Sequence, residues 1–205
     1  KLFEGLLATL LLSLLAFVLG GAVGLLVLFA RVGHWPLARR ISRGYIQLFQ
    51  NTPLLMQMFL VFFGASMAGY SISPWTAAAI GLTLYTSAYL AEVWRGCVEA
   101  VPRGQWEASS SLAMGYVQQM RHVVLPQALR LSVAPTVGFS VQIVKGTAVA
   151  SIIGMTELSK IGSMLANATF QPFLIYGLVA AGYFILCWPL SMAASHLEKK
   201  LNAAR

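Results

Sequence analysis

The sequence predicts an all-α membrane protein: one domain over residues 1–205, with five spanning helices and one long loop that leaves the bilayer. Three observations carry this reading. The 205 residues are 58% hydrophobic and 10% charged, against about 25% charged in a soluble domain. The apolar residues fall in long runs, as about 30 Å of hydrocarbon crossed at about 1.5 Å per residue requires. The basic residues sit beside the ends of those runs and form no patch with exposed aromatics. The net charge of +8 therefore points to membrane topology and away from nucleic acid.

The first span runs from about Gly5 to Ala30 without a charge, and Gly20, Gly21 and Gly24 suit it to close helix contact. The second runs from about Thr52 to Tyr70, with Thr52 expected to cap its entry ahead of Pro53. The third covers about Pro74 to Trp94, the fourth Gln127 to Ile153 and the last Phe173 to Ser195. Arg31, Arg39, Arg40 and Arg43 follow the first span. Arg95, Arg103 and Arg121 lie between the third and fourth, Arg130 opens the fourth, and Lys199, Lys200 and Arg205 follow the last. The connection Ala65–Ser73 is uncharged. With an odd number of spans, all the basic segments share the cytoplasmic side, which puts the N-terminus outside and the C-terminus inside. Cys97 and Cys187 stand in no CxxC or Cys/His spacing, so neither a zinc site nor a disulfide framework is expected. The first apolar run lacks the cleavage site of a signal peptide. No internal repeat is visible, which argues against a self-contained secondary transporter.

The stretch GQWEASSSLAMGYVQQMRHVVLP, Gly104 to Pro126, lies in a loop of about residues 96–124 that is far longer than neighbouring helices need. Pro102 suits a first helical position. From Arg103 to about Leu112 the residues favour a short helix, with Trp106 offering an apolar face beside the carboxylate of Glu107. A break is expected at Ala113–Gly115, then a second short helix from Tyr116 to Val123, and Leu125-Pro126 opens the fourth span. Two readings stay open from the residues alone: a projection that docks into a partner, or an amphipathic hairpin lying on the headgroups.

The stretch resembles the cytoplasmic EAA loop of permease subunits in ATP-binding-cassette importers, where Glu-Ala-Ala is followed at a fixed distance by Leu-Pro. Glu107-Ala108-Ser109 stands for the triplet, and Leu125-Pro126 falls at that spacing. AYLAEVWRGCVEAVPRGQWEA, VVLPQALR, NTPLLMQMF (Asn51–Phe59) and ASIIGMTEL (Ala150–Leu158) resemble the polar amino acid subfamily, and the likeness extends from the first span to LEKKL near the end. The resemblance implies a type I importer permease fold. It implies that the loop forms coupling helices seated in a separate ATPase, with Gln105, Trp106, Glu107, Ala108, Ser109, Leu112 and Gly115 as the coupling residues. The implied partners are an ATPase dimer carrying ATP and Mg2+, a second permease subunit and an extracytoplasmic amino-acid-binding protein, in a bacterial inner membrane. The chain has no GxxxxGK[ST] loop, so no cofactor and no hydrolysis of its own are expected. The family usually has Gly where Ala113 stands. Positive φ costs Ala about 1–2 kcal/mol, so Gly115 is a second candidate for the turn.

An ionisable residue at the centre of a span costs about 2.5–3.5 kcal/mol and faces a cavity or a partner helix. The third span offers Thr83, Tyr85, Thr86, Ser87, Tyr89 and Glu92. Helical spacing aligns Tyr85, Tyr89 and Glu92, places Ser87 elsewhere, and leaves Glu92 within reach of Arg95. The fourth offers Gln142, Lys145 and Gly146, with Pro135 and Gly138 loosening the helix. Lys145 either meets a substrate carboxylate or snorkels and pairs across helices. By resemblance, substrate-contacting members carry Asn at the position of Tyr85 and Asp at that of Gly146. This chain has neither, and no Asp at all. It is then the non-binding half of a heterodimer, the reading slightly favoured, or it serves a substrate without a distal positive charge. Ser159–Pro172, with Lys160 and Gln171, is either an outer surface for the binding protein or an interfacial helix. Two other classes remain. A self-sufficient carrier or channel would need intramembrane carboxylates, for which Glu92 is the only candidate. A membrane enzyme is disfavoured because His34, His122 and His196 all fall in cytoplasmic segments.

Overall fold

The computed structural model describes residues 1–203, with nine α-helices and no strand among them. Arg205, counted above with the basic C-terminal segment, lies outside the described residues. Helix α1 (Leu2–Val32) packs along α4 (Pro74–Glu99) at backbone distance. A Cβ added at Gly20 would stand 2.6 Å from Thr86 Cβ, and one at Gly24 3.0 Å from the Ser87 carbonyl oxygen. Gly21 has only Trp94 near it, at 3.9 Å, so two of the three expected glycines carry the contact. Ser73 caps α4 by accepting from the Thr76 N–H at 3.1 Å, and Pro74 fills its first turn. Leu12, Ala16, Met58, Ala77, Leu82 and Ile143 meet in the core.

Three helical stretches are long and apolar enough to cross a membrane: α1, the continuous run Tyr116–Ser151, and α9 (Pro172–Ala203). A fourth arises only if α2 (Pro36–Asn51) and α3 (Leu54–Met67), bent by 102°, count together. The third expected span, α4, has the length at 26 residues but is too polar to qualify by composition. The reason is its position. Thr86 and Ser87 are buried against α1 and α2, so they never face lipid.

The second expected span, Thr52–Tyr70, is corrected. Helix α3 has 14 residues, about 21 Å, shorter than the about 30 Å that a full straight crossing takes. Before it stands α2, whose arginines had marked it as a charged flank. Thr52 does not cap α3. Its hydroxyl donates to the Leu48 carbonyl at 2.7 Å, closing α2, and Pro53 precedes α3 with no side-chain cap bond. The Gln57 amide holds the bend by donating to the Phe49 and Thr52 carbonyls, both at 2.8 Å.

The fourth expected span also differs at both ends. Leu125-Pro126 lies inside a helical run, because α6 (Tyr116–Gln119) continues through a π turn, Met120–Val124, into α7 (Leu125–Gly146). Pro126 has no N–H for the carbonyl four residues back, and a widened turn relieves its clash there. After Gly146 the chain tightens into a 3-10 turn, Thr147–Ser151. Ser159–Pro172 is largely helical as α8 (Leu158–Thr169), packed on α1 and α9 with Leu158 against Gly5 and Gly182.

Candidate functional site

The loop between α4 and α7 forms a two-part helical knob. Helix α5 (Arg103–Ser111) begins just after Pro102, which stands at its N-cap. Trp106 points inward onto Val98, Val101, Met120 and Val124, and its ring stacks on Tyr116 with centroids 6.5 Å apart. The Tyr116 hydroxyl donates to the Val32 carbonyl at the end of α1, at 2.7 Å. Ser109 is buried and donates to the Trp106 carbonyl at 2.9 Å. Two bonds weld the pieces: the Gln119 amide to Ser110 Oγ at 2.8 Å, and Gln127 to Gln105 Oε1 at 3.3 Å.

The outer face is free. Gln105, Glu107, Ala108, Leu112 and Gly115 are exposed, and Leu112 and Val117 show 77% and 73% of their surfaces. Among the described residues Glu107 has no ion pair.

The turn falls at Ala113, not Gly115. Ala113 has φ 56°, whereas Gly115 has φ −69° and serves as the N-cap of α6. The Ala113 N–H bonds to the Ser110 carbonyl at 2.9 Å and the Met114 N–H to the Ser109 carbonyl at 3.2 Å. This double closure requires the left-handed residue directly after the Leu112 C-cap, and Gly115 comes two positions too late.

The residues proposed for a substrate path do not converge. Tyr85 and Tyr89 lie together, ring centroids 4.5 Å apart, with Phe139 of α7 stacked on them at 6.3 and 5.6 Å. Thr86 packs against Gly20, and the buried hydroxyls of Thr83 and Thr86 have no partner. Glu92 takes two bonds from Arg95, at 2.9 and 2.6 Å, and Arg95 also reaches Glu99. A Cβ at Gly146 would meet Leu54 and Leu82 side chains, each at 3.2 Å, so leucines fill the space of an acidic side chain. Gln142 and Lys145 face the other way. They line a cleft of about 630 Å3 between α7 and α9, with Ser191, Ser195 and Glu198 on its far wall.

One residue escaped sequence reasoning. Glu157 is wholly buried, so Glu92 is not the sole carboxylate drawn among the helices. It accepts from the Tyr183 hydroxyl at 2.7 Å, the Lys160 and Ser159 N–H groups at 2.8 and 3.0 Å, and more distantly Thr9 Oγ1 at 3.5 Å. It caps α8 and ties it to α1 and α9. The signal was an acid directly before a helical pattern, in TELSK.

These features coincide with a known family. Residues 27–202 match the binding-protein-dependent transport system inner membrane component, and the chain belongs to that family. The probable amino-acid ABC transporter permease protein YckA of Bacillus subtilis is 33% identical over 94% of this chain and 85% of its own length. The glutamine transport system permease protein GlnP of Escherichia coli K12 is 32% identical over 98% of this chain and 93% of its own. A crystal structure of an amino acid ABC transporter with histidines superimposes with a TM-score of 0.93 at 31% identity, covering 97% of this chain and 93% of that one. An inward-facing MetNI methionine transporter, 23% identical with a TM-score of 0.70, shares the fold over 98% of this chain and 94% of its own. The resemblance seen in the motifs of the loop and its flanks is borne out.

Proposed function

We propose that this permease is the translocation subunit of an ATP-driven importer for a polar amino acid, and that α5 and α6 couple it to a separate ATPase. The observation that carries the proposal is a knob fixed on one side and free on the other. Its inner side holds Trp106, Tyr116 and the end of α1, and its outer side presents Glu107 with Leu112 and Val117. Helix α6 runs unbroken into α7, and α5 follows α4 after a short link. A rigid displacement of the knob would therefore move α4, α7 and the end of α1 together, converting ATPase closure into alternating access. Glu107 would pair with a basic or amide group in the ATPase groove, and ATP and Mg2+ would sit on that partner. The relatives' family supports an extracytoplasmic binding protein, a second permease subunit and a bacterial inner membrane. On this reading α3, a short crossing entered from α2, and α4 complete five crossings, the N-terminus lies outside, and the knob is cytoplasmic.

For the substrate, the cleft cation Lys145 with Gln142 suits a carboxylate, and the leucines around Gly146 leave no acidic side chain at that position for a distal amine. That favours an acidic or neutral amino acid, or a heterodimer whose other half does the binding. In a reconstituted complex, Glu107→Lys should collapse ATP hydrolysis while the two membrane subunits still assemble. Normal turnover in that variant contradicts the proposal.

A further inference from the structure

Helix α2 has three distinct faces. Ser42 and Ile46 are buried against the bundle, and the Tyr45 hydroxyl meets Ser87 Oγ at 2.6 Å. Leu37, Ile41 and Leu48 form a second face, exposed by 68%, 64% and 62%. At about 100° per residue, Arg39, Arg40, Arg43 and Gln47 fall on the third. Trp35, 79% exposed, stands just before the helix, where an indole suits the boundary of hydrocarbon and headgroup. The 102° bend to α3 turns α2 across the direction of its successor, so a helix followed by one that enters the bilayer lies along the bilayer surface.

Among the described residues no arginine of this helix has an ion pair. The sequence has no acidic residue between Glu4 and Glu92. Glu92 and Glu99 at this end of the bundle are both engaged by Arg95, and Glu107 makes no ion pair with α2. Arg39 bonds only the neutral Gly33 carbonyl, at 2.9 Å. An apolar face beside a row of unpaired arginines matches the depth profile of an anionic lipid surface.

We propose that α2 is an interfacial helix that holds anionic phospholipid headgroups on Arg40 and Arg43 while Leu37, Ile41 and Leu48 sit among the acyl chains. The inference needs only that the chain lies in a bilayer, and its failure would leave the transport reading untouched. The test places the full chain in nanodiscs of phosphatidylcholine with a minor fraction of phosphatidylglycerol, one lipid or the other carrying bromine. The Trp35 signal is the difference between the chain and its Trp35→Phe variant. Brominated phosphatidylglycerol should quench Trp35 as if enriched about fivefold over bulk, the factor one basic side chain supplies at an anionic surface. High salt should shrink that enrichment. Arg40→Gln with Arg43→Gln should abolish the preference, and Arg40→Lys with Arg43→Lys should keep most of it, which separates charge from misfolding. Equal quenching by the two lipids in the unaltered chain overturns the proposal. So does a preference that survives the double Gln variant.

Discussion

Two short helices leave the spans of this permease, α5 and α8, and each carries a glutamate near its start. Their fates are opposite. Glu107 on α5 is exposed with no ion pair among the described residues, whereas Glu157 before α8 is wholly buried and takes three donors at 2.7–3.0 Å. A carboxylate whose donors all belong to its own chain is spent on holding that chain together. One whose donors are missing is available to another molecule. The same side chain thus marks a structural joint at one end of the molecule and an open coupling surface at the other.

The largest effect that tests this contrast is on stability. Glu157→Ala strips the cap of α8 and leaves buried donors unpaired, so unfolding of the purified chain in detergent should come easier by roughly 3 kcal/mol. Glu107→Ala in the same assay should move stability by no more than about 0.5 kcal/mol. Equal losses would erase the distinction. Tyr183→Phe removes one donor and keeps the ring; it should cost about 1–2 kcal/mol and leave ATPase association unaltered. The smallest effect is a gain. Ala113→Gly relieves the left-handed strain and should stabilise the knob by about 0.5–1 kcal/mol. A loss there would mean that the knob closes differently.

How much of this was legible depends on the range of the interactions. The long apolar runs, the break after Leu112 and the Glu92–Arg95 pair were readable because each is local in sequence, the last at a spacing of three residues. Helix α2 was missed because its apolar residues are split between a buried and an exposed side and interrupted by arginines, which hydropathy alone averages into a charged flank. The partners of Glu157 were invisible for another reason: Thr9 and Tyr183 lie 148 and 26 residues away, and only folding brings them there. Gln142, Lys145 and Gly146 stand together in the sequence, which does not separate the leucine-lined surroundings of Gly146 from the cleft that Gln142 and Lys145 line. Those surroundings come from α3, α4 and α9, which are distant in sequence.

The central claim is that the free face of the knob seats an ATPase, and a cross-link at Val117 tests it most directly. In a chain carrying Cys97→Ala and Cys187→Ala, Val117→Cys should join the ATPase subunit in the assembled complex, with a yield that changes when nucleotide binds. A position that reacts with lipid-phase reagents and yields no ATPase adduct in that complex would contradict the account.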